Sequence, residues 1–349
     1  MIAILRTLHS WVGALLALLL IVQGLSGVLA VLRGEMIAAT VPAARAAKPS
    51  PDSLGPALEA FAAAGGGHVR AVLFSPHGLS VHRLWLEEGA SAFIDGQGRE
   101  VQRWRGNRSI EEGVLSLHRS LLFGKAGDLI VGLVGVGGLG LTAVGLLIWA
   151  YPRPRLDGRI WPATAARRDV YRAHQNLGAL LSLFLLVQLT TSLVMSYGGA
   201  ARTVLGVEVP RAPRAAPFTG PTPWTAILKA ARDSVPNGEI RRVISPTHAH
   251  DPFVINLHAP EEWTWEAATV VFVDGRGTVV GVSPSADQTV GTRIYAMLKA
   301  LHTGDYGGLL GRLGAGLVGL GLAAIGGFGL WSFVRGPRLQ AVLQIRLAR

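Results

Sequence analysis

Four stretches of the chain run without a charged side chain for long enough to cross a bilayer: Trp11 to Leu32, Leu129 to Tyr151, Leu177 to Tyr197 and Leu313 to Val334. About 30 Å of hydrocarbon takes roughly 20 helical residues, so each predicts a membrane-spanning helix. Arg6 before the first stretch and the Ala-rich residues after it also suit a cleaved signal peptide, but the apolar run exceeds a signal core. Between the spans the pattern changes to short alternating or β-branched runs. In the first intervening segment these are Val69 to Phe74, Val81 to Leu86, Ser91 to Asp95 and Val101 to Trp104. In the second they are Ile240 to Ser245, Phe253 to Leu257, Ala268 to Asp274 and Val279 to Val282. A Pro- and Ala-rich linker (40–56 or 209–223) and a predicted helix (Leu54 to Ala64 or Trp224 to Ser234) precede each set. Asp95-Gly-Gln-Gly98 and Asp274-Gly-Arg-Gly277 supply glycines for tight hairpins. Capping boxes are expected at Ser109 to Glu112 and Ser285 to Gln288.

The fold class that follows is a membrane α-helical four-helix bundle with two small α+β modules, internally duplicated. Its segments are a first span with its terminus (1–33), a module (34–126), span two (127–152), an Arg-rich loop (153–173), span three (174–198), a second module (199–311), span four (312–335) and a tail (336–349). Two small modules, rather than one large core, are expected outside the lipid.

Composition narrows the chemistry. Half of the 349 residues are hydrophobic and the mean hydropathy is +0.38, which excludes a disordered chain. The absence of cysteine excludes disulfides, thiolate metal sites, iron-sulfur clusters and covalently attached haem. The net charge of +11 raises nucleic acid as a partner, until the arginines are located. Arg153, Arg155, Arg159, Arg167, Arg168 and Arg172 lie between spans two and three, and Arg335, Arg338, Arg346 and Arg349 follow span four. Positive residues in short loops mark the cytoplasmic side. Both termini are then inside, both modules face the periplasm of a Gram-negative cell, and no nucleic acid is implied.

A shift of 165 positions superposes His9-Ser-Trp-Val-Gly13-Ala-Leu-Leu16 on His174-Gln-Asn-Leu-Gly178-Ala-Leu-Leu181, and Val22-Gln23 on Val187-Gln188. Leu117-His118 recurs as Leu301-His302, each shortly before a span. The chain reads as a parallel duplication about an axis along the membrane normal. Such an axis turns His9 with His174, and His118 with His302, into two facing pairs, one per leaflet. Two neutral imidazoles on opposite sides of a flat macrocycle are what b-type haem needs, and Met1, Met36, Met195 and Met297 offer no pairing. Zinc at either pair would need further ligands, and interfacial packing is the ordinary role of a lone histidine at a membrane boundary.

Other residues leave two readings open. Gln23 and Gln188 lie fourteen positions after His9 and His174, on the same helix face, where an amide serves a haem propionate, an axial imidazole or a plain interhelical contact. Arg6, Arg172 and Arg119 lie within three residues of a proposed ligand and suit propionates, although topology already accounts for Arg6 and Arg172. The glycines of spans two and four permit close helix approach or make room for a macrocycle. His248 and His250, if on a strand, would share a face and could touch a metal or iron chelate; polarity of an exposed loop is the simpler account.

Leu8-His9-x-Trp11-x-Gly13, Leu117-His118-Arg119-x-Leu121, His174-x-x-x-Gly178 and Leu301-His302-x-Gly304, with a module after spans one and three, resemble the PepSY-associated transmembrane family over nearly the whole chain. That family comprises bacterial iron-regulated inner-membrane proteins and includes integral membrane ferric-siderophore reductases. The resemblance implies two b-type haems carrying electrons to a periplasmic ferric siderophore or other ferric chelate, releasing Fe(II). The donor would be a cytoplasmic carrier at the Arg-rich face or a membrane quinol. The rival expectations are a non-redox, membrane-anchored binding or regulatory protein and a metal or chelate permease.

Overall fold

The computed structural model describes residues 1–151, 156–262 and 267–336; Arg153, Arg155, Arg338, Arg346 and Arg349 of the orientation argument lie outside the described residues. In chain order the helices are α1 (Ile2–Val31), α2 (Arg33–Thr40), α3 (Leu54–Ala63), α4 (Ile110–Ser120), α5 (Gly124–Ala150), α6 (Arg167–Ser196), α7 (Gly198–Leu205), α8 (Trp224–Ser234), α9 (Val290–Thr303) and α10 (Gly308–Val334). The strands are β1 (Val69–Leu73), β2 (Val81–Leu86), β3 (Ala90–Asp95), β4 (Glu100–Arg105), β5 (Glu239–Ile244), β6 (Phe253–His258), β7 (Thr269–Val273) and β8 (Val279–Ser283). Contacts divide the chain into a helical unit (1–31, 114–201 and from Leu301 onward) and a sheet unit (32–113 and 202–300).

Four candidate membrane-spanning helices, among the described residues, make up the helical unit: α1, α5, α6 and α10. Their apolar parts match the uncharged runs. All four start before those runs because backbone hydrogen bonding, not side-chain apolarity, sets a helix boundary: α1 begins at Ile2, α5 at Gly124, α6 at Arg167 and α10 at Gly308. As a result His9 and His174 lie inside helices. α1 packs on α10 and α5, and α6 packs on the same two, which closes a ring of four. Glycine sets the closest approach: a Cβ on Gly24 would stand 2.5 Å from the Gly319 carbonyl oxygen, so the two backbones touch directly.

The sheet unit corrects the expectation of two small modules with no single large core. Its eight described strands form one antiparallel sheet in the order β4-β3-β2-β1-β5-β6-β7-β8. The halves join at its centre, where Ala71, Val72 and Leu73 pair with Ile244, Val243 and Arg242. Two separate four-stranded sheets would each have left an unpaired inner edge, and pairing β1 with β5 satisfies both. One core crosses the join. Val72, Leu84, Val243, Ile255 and Val271 line one face of the sheet beneath Leu58 and Phe61 of α3 and Ile227 and Leu228 of α8. On the other face, Ile37 of α2 and the turn residues Val41 and Ala44 cover Val81, Phe93 and Trp104. Full burial of each such side chain contributes roughly 1.5–3 kcal/mol.

Both hairpin turns form as the sequence indicates. Asp95 Oδ1 accepts from the Gln97 and Arg99 amides at 2.9 and 3.0 Å, and Asp274 Oδ1 accepts from Arg276 and Thr278 at 2.9 and 2.8 Å. The second glycine of each turn takes the left-handed conformation, Gly98 at φ +81° and Gly277 at +85°. The capping boxes do not form. The Ser109 hydroxyl is buried without a partner among the described residues, because Glu112 turns instead to Arg83 Nη1 at 2.5 Å. Ser285 opens a separate 3₁₀ turn, Ser285–Asp287, and the cap before α9 is Thr289, whose Oγ1 accepts from the Thr292 amide at 3.2 Å.

His82 on β2 is fully buried, stacked on Phe74 at 4.7 Å, with its Nδ1 accepting from the Ser75 amide at 3.4 Å. Burial lowers its pKa from 6.5 to about 4, since the lost hydration of an imidazolium outweighs the attraction of the Asp95 carboxylate. The folded unit therefore holds neutral His82 while the unfolded chain takes up a proton below pH 6.5. Stability contributed by this site is complete above pH 6.5 and declines as pH falls toward 4, by roughly 3 kcal/mol over that range. Denaturant midpoints across this range should show the loss, and His82→Phe should remove that part of it.

At the α3–α8 crossing, a Cβ on Gly55 would lie 2.6 Å from Thr225 Cα, beside the hydrogen bond from the Thr225 amide to Glu59 Oε1 at 2.8 Å. Gly55→Val should lower stability by about 2–4 kcal/mol through overpacking, read as a fall in the denaturation midpoint.

Candidate functional site: two facing histidine pairs

The helical unit brings the four recurring histidines together in twos. His9 of α1 faces His174 of α6 with ring centroids 6.2 Å apart and planes at 71°. His118 of α4 faces His302 of α9 with centroids 6.2 Å apart and planes at 30°. The pairs lie at opposite ends of the spans. His174 and the Thr191 that contacts His302 are seventeen residues apart on α6, a rise of about 25 Å, and His9 and the Ser26 that contacts His118 have the same spacing on α1.

Each ring has a neighbour at Nδ1. The Ser26 hydroxyl donates to the Val22 carbonyl at 2.6 Å, which leaves its lone pair to accept from His118 Nδ1–H at 3.1 Å. Thr191 repeats the arrangement, donating to Val187 O at 2.9 Å and accepting from His302 Nδ1–H at 3.2 Å. His174 Nδ1–H donates to the Ile325 carbonyl at 2.9 Å. His9 Nδ1 is buried outside hydrogen-bond geometry, with the Leu141 backbone near enough to act on it electrostatically. A proton held on Nδ1 fixes the tautomer and directs the Nε2 lone pair away from the partner. Among the described residues no hydrogen bond is made by any of the four Nε2 atoms.

Glycines give three of the rings their space. A Cβ would stand 3.0 Å from His9 Cε1 at Gly145, 3.2 Å from His174 Cε1 at Gly329 and 3.1 Å from His118 Cε1 at Gly27. Elsewhere glycines of α5 and α10 meet aliphatic side chains, as Gly137 meets Leu16 and Gly321 meets Leu181, the ordinary role of small residues between membrane helices.

The donor set suits one metal atom per pair with two neutral nitrogens. Two metal–nitrogen bonds of about 2 Å, plus about 1 Å from nitrogen to ring centre on each side, span roughly 6 Å, in line with the observed separation. A structural zinc site wants four ligands, and no group of three or more His, Asp or Glu able to hold a metal occurs among the described residues. A metal that brings its own equatorial ligands matches a two-histidine site.

The remaining nominated residues divide. Gln188 Nε2 donates to the His302 carbonyl at 2.9 Å, so this amide holds the backbone of the proposed ligand. Gln23 Nε2 is buried without a partner among the described residues. Arg172 Nε pairs with Asp157 Oδ2 at 3.3 Å, which ties the loop before α6 to that helix. Arg6 and Arg119 are exposed. His248 and His250 lie on a turn between β5 and β6, not on a strand, so alternation does not give them a common face; the His248 amide donates to Asp251 Oδ2 at 2.9 Å, and His250 Nδ1 lies 3.3 Å from the Ala215 carbonyl oxygen.

Sequence reasoning passed over Ser26, Thr191, Leu141, Ile325 and Gly145. Their signal was in the offsets. Ser26 and Thr191 are separated by the same 165 positions as His9 and His174, and Leu141/Ile325 and Gly145/Gly329 by the same 184 as His118 and His302. No curated protein matches the chain. The profile of the PepSY-associated TM region matches residues 6–335, a range that contains all four histidines and all of the four spans but the first residues of α1, and the chain belongs to that family.

Proposed function

We propose that this membrane protein of the PepSY-associated TM family is a two-haem reductase of the bacterial inner membrane, passing electrons to a periplasmic ferric chelate such as a ferric siderophore, with release of Fe(II). One observation carries the reading: two histidine pairs, each joining different helices at the same 6.2 Å separation, at opposite ends of the spans. His9 and His174 would hold an inner b-type haem, and His118 and His302 an outer one. When bound, haem iron supplies reversible one-electron chemistry at an axial-ligand-tuned potential.

The chain's own residues orient and tune. Ser26, Thr191 and the Ile325 carbonyl hold their imidazoles with Nε2 available, and a hydrogen bond from Nδ1–H raises the basicity of the ligating nitrogen. The matching partners at offsets of 165 and 184 support an internal duplication. Arg159 in the α5–α6 loop and Arg167, Arg168 and Arg172 in the first turns of α6 support cytoplasmic termini and an outward sheet unit. A ferric chelate accepts an electron without proton transfer from the protein, so no catalytic side chain is required.

Purified protein should show sharp haem absorption that dithionite reduces; a colourless preparation would favour the anchored binding protein or the permease. Two haems per chain are expected from pyridine haemochrome titration. His9→Ala and His174→Ala should each lose the same haem, and His118→Ala and His302→Ala the other. Two haems retained in every single variant would refute the pairing.

Ser26→Ala and Thr191→Val remove the acceptors of the outer Nδ1–H groups without touching Nε2. Both variants should keep two haems and raise the outer midpoint potential by tens of millivolts, since a less basic imidazole stabilises the ferric state less. Redox titration with the inner haem as internal reference reads the difference.

A further inference from the structure

We infer that the cleft between the α5–α6 loop and α10 is a binding site for a membrane quinol that feeds the inner histidine pair. This rests on the two-haem reading and names its electron source. The cavity holds about 530 Å³, within the range of small-molecule sites. Trp161, Thr164, Val170, Gly327, Phe328 and Trp331 line it. Trp161 packs edge-on against Phe328 at 5.3 Å, which leaves aromatic faces for a flat ring.

The site is built rather than a gap between loose parts. Trp331 Nε1 donates to the Ala165 carbonyl at 3.3 Å and Arg167 Nε to the Ser332 carbonyl at 3.0 Å, closing one end of the loop onto α10. Asn176 Nδ2 holds the other end through Asp157 and through Arg159 O at 3.1 Å. The cavity opens at the level where α10 ends, with Trp161 70% and Trp331 41% exposed, so a lipid-dissolved ligand reaches it laterally. A belt of tryptophan at the interface is common in membrane proteins, but it does not call for the polar pair that follows.

Thr164 lines the cavity, receives the Ala166 amide at 3.1 Å and donates its hydroxyl proton to Asp169 Oδ2 at 2.6 Å. A quinol hydroxyl placed against Thr164 Oγ1 has a hydroxyl and then a carboxylate to take its proton. The inner pair is one helix turn away: Val170 is four residues before His174, about 6 Å along α6. Ala324, also at the cavity, precedes the Ile325 whose carbonyl accepts from His174.

The step balances as quinol plus two ferric irons giving quinone, two ferrous irons and two protons. Two quinol O–H bonds break, and the electrons would leave singly for the haem iron that His9 and His174 would hold. The first proton passes to Thr164 Oγ1 as the Thr164 proton moves onto Asp169 Oδ2. Asp169 then releases it to water at the loop surface before the second follows.

The test uses the full chain in phospholipid nanodiscs and an azido-substituted ubiquinone photolabel, which reads binding without requiring haem. Label is expected in peptides covering 156–170 and 324–331, displaced by excess ubiquinone-1 and not by dodecane. A Cβ at Gly327 meets nothing within 4 Å, so Gly327→Leu fills the cavity without a clash and should cut labelling at least tenfold with two haems retained. Trp161→Ala, at the exposed rim, gives a second reading and should cut it several-fold. Asp169→Asn should keep labelling within twofold and slow anaerobic haem reduction by ubiquinol-1 at least tenfold, with Asp169→Glu restoring the rate. Labelling unchanged in both cavity variants, or equal displacement by dodecane, as in a groove for lipid tails, overturns the site. A colourless protein that is still labelled would sink the haem reading and leave the quinol site standing; a two-haem protein that takes no label would do the reverse.

Discussion

The arrangement depends on imidazoles from different helices being held with their Nδ1 atoms turned toward a neighbouring helix. Three of the four rings meet an acceptor there: His118 at Ser26, His302 at Thr191 and His174 at the Ile325 carbonyl. Each bond crosses between helices: His174 ties α6 to α10, two spans, while His118 and His302 tie the shorter α4 and α9 to α1 and α6, so each fixes the register of its own helix pair. Sliding one helix past another by a single turn, about 5.4 Å, would break it. The glycine contacts follow from this demand. α1 and α10 approach to backbone contact at Gly24 and Gly319, and Gly145 and Gly329 leave room for a ring where any larger residue would push the helix away. Leucine-lined helices of ordinary spacing would bury the same apolar surface but would not bring the rings to 6.2 Å.

The sheet unit answers a different constraint. Each half of the chain makes four strands, and such a sheet covers one face with a single helix, α3 or α8. Alone, it would leave a strand edge open and a thin core beneath one short helix. Joining β1 to β5 removes both inner edges and lets α3 and α8 share one roof, with Gly55 against Thr225 at the ridge. Arg83 shows the cost of packing the opposite face: it is nearly buried, stacks over Trp85 at 4.6 Å and takes Glu112 as its counter-ion. That ion pair, rather than a helix cap, is what Glu112 serves.

Much of this was legible in the sequence because it depends on local pattern. Uncharged runs located the spans, alternation located the strands within a residue or so, and Asp-Gly-x-Gly located both hairpins. Pairing of the histidines was legible for another reason: recurrence at a fixed offset carries long-range information that a single motif lacks. The fused sheet was hidden because β1 and β5 look like any edge strands until the pairing across 170 residues is made. Ser26 and Thr191 were hidden because a hydroxyl inside an apolar helix commonly bonds its own backbone, as both do; their second bond, to a histidine, belongs to the tertiary structure. Of the two expected caps, the Ser109 motif lost Glu112 to an ion pair with Arg83, and the Ser285 motif closed its own 3₁₀ turn ahead of the Thr289 cap.

Correspondence between the halves also shows where they part. Shifting α10 back by 184 positions sets Phe328 on Val144 and Trp331 on Leu147, while Ile325 and Gly329 fall on Leu141 and Gly145. Residues that touch the histidines keep their kind, carbonyl for carbonyl and glycine for glycine. Those that line the cleft change from aromatic in α10 to aliphatic in α5. The α10 aromatics make contacts that valine and leucine could not, Phe328 edge-on to Trp161 at 5.3 Å and Trp331 Nε1 to the Ala165 carbonyl at 3.3 Å. On the two-haem reading, an electron path built from two like halves would need only one entrance. Aromatic residues confined to the side beside His174, together with Thr164 of the adjoining loop and Asp169 in the first turn of α6, are what an entrance on one half would require.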